Sequence, residues 1–180
     1  MKAERSCVAV FRTHTDADKA VKMLQRAGIN MKRLSVVGRG YHSEDKVLGF
    51  YNTGERMKGW GKWGAFWGSI WGLLFGAAFL IIPVFGHLII LGPLASIVAG
   101  ALGGATAGGA LGALGAALAS IGVPKDSIVR YQTALEADKF LLLVHGTKEE
   151  IEKSREVLSS ASVESLEVHD APARETADAV

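Results

Sequence analysis

Between Trp63 and Pro124 this chain of 180 residues contains no Asp, Glu, Lys or Arg, a gap of 62 residues in a protein that elsewhere carries 20 basic and 18 acidic side chains. The gap excludes ordinary solvated helices from the middle third, because a helix facing water needs a polar side opposite its apolar one. Cysteine is nearly missing as well: Cys7 alone rules out an intrachain disulfide and fits a reducing compartment. Neither flank has the interleaved basic and aromatic pattern of a nucleic-acid binder, and the net charge is only +2. The opening MKAERSCVAVFRTHTD is too polar, and its apolar run too short, to read as a signal peptide. Gly-x-Ser-x-Gly, His-Glu-x-x-His and Walker sequences are absent, so an enzyme is not expected. His14, His42, His87, His145 and His169 are scattered without zinc-ligand spacing, and no cofactor or metal is expected. His145 and His169 read as solvated strand ends, and His87 as an interfacial turn residue. Gly38-Arg39-Gly40 follows a strand but lacks the helix start that a phosphate cradle requires.

What fills the gap is apolar and glycine-rich. One run extends over residues 60–82, a cluster of breakers follows at Pro83, Gly86, Gly92 and Pro93, and a second run extends over residues 94–121. As helices, each is at least ~34 Å long, enough for a hydrocarbon core of about 30 Å. The pattern predicts a transmembrane helical hairpin whose turn, PVFGHLIILGP, either sits shallowly or dips back into lipid. Arg56, Lys58 and Lys62 before it, with Lys125 and Arg130 after it, place both termini on the cytoplasmic side of the membrane.

Gly64, Gly68, Gly72 and Gly76 recur at every fourth position of the first run, and Gly100, Gly104, Gly108 and Gly112 do so in the second. Small residues at that spacing let helix backbones approach closely in lipid. The two stripes serve either packing within one hairpin or contacts between subunits of a homo-oligomer. Trp60 and Trp63 read as interfacial anchors, while Trp67 and Trp71 lie deeper and are placed to cover glycines of a neighbour.

The flanks, residues 1–56 and 123–170, read as two halves of one α+β domain interrupted by the hairpin at 57–122. In the first half Cys7–Phe11 is a strand, Thr15 with Asp18 opens a helix that Gly28 closes, and Leu34–Val37 is a second strand. In the second, a helix near Pro124–Ala137 precedes a strand at Phe140–His145. Thr147 with Glu150 then caps a helix carrying Ile151, Val157 and Leu158, and Val163–His169 closes the pattern. Cys7–Phe11 and Phe140–Val144 are continuous apolar runs, as expected of central strands. The order is that of a ferredoxin-like split βαβ fold with strands one and three in the middle. Residues 171–180 read as a disordered tail.

The block GFYNTGERMKGWGKWGAFWG, the turn PVFGHLIILGPL, the Gly/Ala-rich second run and its exit IGVPKDSI resemble the bacterial general-stress-protein YflT-like domain family. The resemblance implies association with stress responses and with the membrane, which with the hairpin gives a bacterial inner membrane as the expected location; it brings no established reaction and no site residues. Together these readings lead to a non-enzymatic, membrane-embedded stress protein that self-assembles through its glycine stripes in a structural or scaffolding role, with lipid and further copies of itself as partners. A module that senses a ligand on the open face of its sheet is the alternative. A pore is disfavoured, because the only polar groups along either helix are Ser69, Ser96, Thr106 and Ser120.

Overall fold

The computed structural model of the chain describes residues 5–39, 79–82, 88–104 and 109–170. The first strand, β1 (Arg5–Phe11), is buried along nearly its whole length. Helix α1 (His14–Arg26) starts two residues earlier than a Thr15 cap would place it: Thr13 is its N-cap, its hydroxyl accepting from the Asp16 amide. Thr13-x-x-Asp16 and Thr15-x-x-Asp18 both fit the capping pattern, and the earlier one adds half a turn of helix. Gly28 closes the helix at φ +77°, a conformation that favours glycine. A short 3-10 turn at Met31–Arg33 leads into β2 (Leu34–Arg39).

The charge-free segment departs from expectation. Phe79–Ile82 and Leu88–Leu91 are strands, β3 and β4, which pair antiparallel with each other, and β4 pairs in turn with β2. A four-residue run such as LIIL is as compatible with a buried strand as with a helix segment, since periodicity does not separate the two. Gly92, at φ +98°, turns the chain out of β4 so tightly that a β-carbon would collide with the Leu34 carbonyl oxygen, and Pro93 opens the next helix. In place of one long second span there are two helices, α2 (Pro93–Gly104) and α3 (Gly109–Ser120), which pack against each other. Twelve residues make about 18 Å of helix, well short of a bilayer core. No helix among the described residues is long and apolar enough to cross a membrane. The expected transmembrane hairpin, and the multi-pass inner-membrane location built on it, are therefore not supported.

Helix α4 (Lys125–Glu136), β5 (Phe140–Gly146), α5 (Lys148–Ser159) and β6 (Ser165–Asp170) complete the described chain. The Thr147 and Glu150 capping box is formed in both directions. The six strands make one sheet in the order β3-β4-β2-β5-β1-β6, with antiparallel neighbours throughout. The α+β class thus holds, with the two apolar strands β1 and β5 side by side and an extension of two strands beyond β2.

Both faces of the sheet are covered. On one, Cys7, Ala9, Phe11, Val36, Leu142 and Val144 pack under α1 and α5. On the other, Val8, Val10, Val37, Ile90, Leu141 and Leu143 pack under Leu94 and Val98 of α2, Leu114 and Leu118 of α3, and Ile128, Tyr131 and Leu135 of α4. The face that a split βαβ sheet leaves open is closed here by the Gly/Ala helices, which removes the open-face binding surface expected above.

Candidate functional site

Alternation along β1, β5 and β6 puts Ser6, His145 and His169 in one row on the α4 side, because His145 and His169 lie opposite Ser6 from its two flanks. Glu167 shares that face two residues before His169. On α4, Ser127, Arg130 and Tyr131 recur at the three- and four-residue spacing that gives one helical face. Sheet and helix therefore bring a polar cluster together inside an otherwise apolar interface.

Its geometry converges on Glu167. One carboxylate oxygen, Oε2, accepts from the Tyr131 hydroxyl at 3.0 Å, the Ser127 hydroxyl at 3.1 Å and the Arg130 guanidinium at 3.1 Å, while Oε1 pairs with Arg130 at 2.7 Å. Tyr131 is 1% exposed and its oxygen lies 2.8 Å from Nε2 of His169, itself 8% exposed. A phenol has one hydrogen. Its donation to Glu167 leaves Nε2–H of His169 as the donor to the phenol oxygen, which fixes the histidine tautomer. At the far end of the row the Ser6 hydroxyl donates to the Ile121 carbonyl at 3.2 Å, tying β1 to the end of α3.

Burial pushes the Tyr131 hydroxyl well above its ordinary value, and the adjacent Glu167 carboxylate adds to the effect. Burial also lowers His169, against the attraction of Glu167. For Glu167, burial acts upward but is outweighed by the hydrogen bonds from Tyr131 and Ser127 and by the Arg130 charge, so it stays below the usual carboxylate range. A depressed carboxylate is a poor base and a phenol held protonated is a poor nucleophile. The cluster fastens α4 to the edge strand β6. His169 is thus a buried, hydrogen-bonded residue and not a solvated strand end. Cys7 is buried on the opposite face, its thiol pushed up to about 12 by desolvation, and is correspondingly unreactive.

The residues singled out from the sequence fall elsewhere. Gly64, Gly68, Gly72, Gly76, Gly108, Trp60, Trp63, Trp67, Trp71, Pro83 and Gly86 lie outside the described residues. Gly100 and Gly104 are on α2 and Gly112 is on α3, so the expected single stripe is divided between two helices. A β-carbon at Gly100 or Gly112 would meet nothing within 4 Å; neither glycine is needed for packing inside the chain. Gly115 is the close approach, facing Ile128 and Gln132 of α4. The outward positions Ser96, Ala99, Gly100, Gly112, Ala116 and Ala119 are exposed, small and uncharged. By contrast, α1, α4 and α5 expose Lys19, Asp126 and Glu152. The sequence reading missed the polar cluster. The i, i+2 pair Glu167/His169 and the i, i+3, i+4 set Ser127/Arg130/Tyr131 are visible as patterns, but their meeting depends on which helix covers β6.

The family model described as "Heat induced stress protein YflT domain" matches residues 6–79. The match covers less than half of the chain and ends before the Gly/Ala helices, and it supports the stress-protein resemblance for that segment. No curated protein and no solved structure matches the chain.

Proposed function

We propose that this chain is a non-enzymatic stress-response protein that works by association of its own copies through the outer face of α2 and α3. The observation that carries the reading is the absence of charge from that face, where Ser96, Ala99, Gly100, Gly112, Ala116 and Ala119 are all exposed. Water-facing helices normally hold Lys, Glu or Arg at such positions, as α1, α4 and α5 do. An uncharged, small-residue face sets no like charges against a second copy of itself, as a two-fold interface between identical subunits requires. Small residues also let the apposed backbones come close, while burial of uncharged surface supplies the driving force in water. The match to a heat-induced stress protein domain supports the stress context.

Sedimentation velocity over a range of concentrations tests the reading. Wild type is expected to sediment as a dimer or larger species, and Gly100→Glu as a monomer with an unchanged far-UV spectrum. The substitution enters open space in the isolated chain and so disturbs only a surface shared with another copy. A wild-type chain that stays monomeric throughout, or a Gly100→Glu variant with the same oligomeric state as wild type, contradicts it.

A further inference from the structure

The sheet ends on two unlike strands, β3 and β6. Alternate residues of an end strand turn their N–H and C=O away from its one neighbour, and such an edge pairs readily with another chain unless something guards it. Strand β6 is guarded, because Glu167 and Asp170 put charge on it. Strand β3 reads Phe-Leu-Ile-Ile, with no charged or polar residue, and among the described residues no strand besides β4 pairs with it. Alternation turns Leu80 toward the core beneath α2 and Ile81 toward the opposite face, where Ile81 is 46% exposed. Among the described residues Ile81 and Val129 are the large apolar side chains left exposed, so the one that belongs to the sheet sits on its unguarded edge.

We propose that β3 pairs antiparallel with β3 of a second copy, about a two-fold axis normal to the sheet that passes beside Ile81, so that the two sheets continue as one. The inference rests on the association proposed above and names the arrangement of the copies. Such an axis keeps each face of the sheet on its own side and sets residues opposite their counterparts, Ile81 against Ile81 of the second copy. That register covers the exposed isoleucine, while Leu80 is already packed under the helix layer. No like charges meet, since β3 has none to bring. A ladder of four residues is too small on its own for a stable dimer, which takes about 1,000 Å² or more. Helix α2 supplies the remainder. It starts beside β2, where the Leu94 amide donates to Ser35, and packs on β4 and β3 as well, so it runs toward the open edge with Ala99 and Gly100 in its later half. Strands about 4.8 Å apart put a helix that lies between β3 and β4 about 10 Å from its counterpart across the axis, the distance at which helices pack. The small, uncharged residues of α2 thus close one side of the interface and Ile81 the other.

A charge exchange at Ile81 in the full chain, read by sedimentation velocity and native mass spectrometry, tests it. Ile81→Lys and Ile81→Glu, each alone, set like charges opposite one another across the axis and are expected to weaken association by roughly tenfold or more, with unchanged far-UV spectra. An equimolar mixture of the two is expected to recover association as a mixed dimer, which a misfolded variant would not do. Ile81→Lys that associates like wild type, while Gly100→Glu dissociates, overturns the edge pairing and leaves association through α2 and α3 standing. Two folded, dissociated variants whose mixture stays monomeric overturn the Ile81-to-Ile81 pairing. A wild-type chain that is monomeric at every concentration overturns both readings together.

Discussion

Tyr131 has one hydrogen to give and is 1% exposed, so each of its neighbours takes a defined role: Glu167 accepts from it and His169 donates to it. Tyr131→Phe keeps the ring in the core but leaves the buried Nε2–H of His169 without its acceptor, a loss of about 1–3 kcal/mol. Thermal melts at neutral pH should show the corresponding fall in Tm. The same cluster fixes the pH response. Because burial lowers His169 from its ordinary value of 6.5, the unfolded chain takes up a proton at higher pH than the folded one does. Stability is then present in full above 6.5 and is lost as pH falls through 6.5 toward the lower folded value. Glu167, lowered from 4.5, adds a second loss on further acidification. At the alkaline end Tyr131, raised above its ordinary 10.0, makes stability decline as pH climbs past that value. Chemical denaturation between about pH 7 and 5 is expected to show the first loss in wild type and a flatter profile in His169→Gln.

At the scale of elements, Ser35 shows how a strand supports a helix far along the chain from it. Its hydroxyl, fully buried on β2, accepts from the Leu94 amide at 3.1 Å and so satisfies one of the orphan donors in the first turn of α2. Ser35→Ala is expected to cost about 1 kcal/mol, with faster amide exchange concentrated at the start of α2. The same elements mark how far the sequence could be read. The strand, helix and cap pattern of the flanks was legible because each element carries its own signals: continuous apolar runs in β1 and β5, the Thr147/Glu150 box, Gly28 at a helix end. Phe79–Ile82 and Leu88–Leu91 were not, because a run such as LIIL has no polar positions to give a period, and one length of apolar chain suits strand and helix alike. The charge-free second run has the length and the glycine spacing of a single membrane helix, and neither signal marks a break within it. Its interruption into α2 and α3 leaves three helix-interior glycines, Gly100, Gly112 and Gly115, at about 1 kcal/mol each, in two short helices that depend on the layers they pack against. The polar cluster was out of reach for a different reason: its two halves lie on an edge strand and on a helix whose contact is a property of the topology.

Taken whole, the molecule uses its least polar segment to finish its own core. A four-stranded split βαβ sheet with two helices on one side leaves an apolar face toward water; here two extra strands widen the sheet, and α2, α3 and α4 cover it. Lack of charge in residues 63–124 has an explanation inside the fold for β4 and the inner sides of α2 and α3, which are buried against the sheet, and not for the exposed outer side of the two helices. The most direct test is solution NMR of the isotopically labelled chain in detergent-free buffer, observing backbone contacts between β2 and β4. Cross-strand NOEs linking Val36, Val37 and Gly38 with Leu91, Ile90 and Ile89, in the antiparallel register of the sheet, are the expected result. Helical sequential NOEs running through Leu88–Leu91, with no contact to β2, would contradict it.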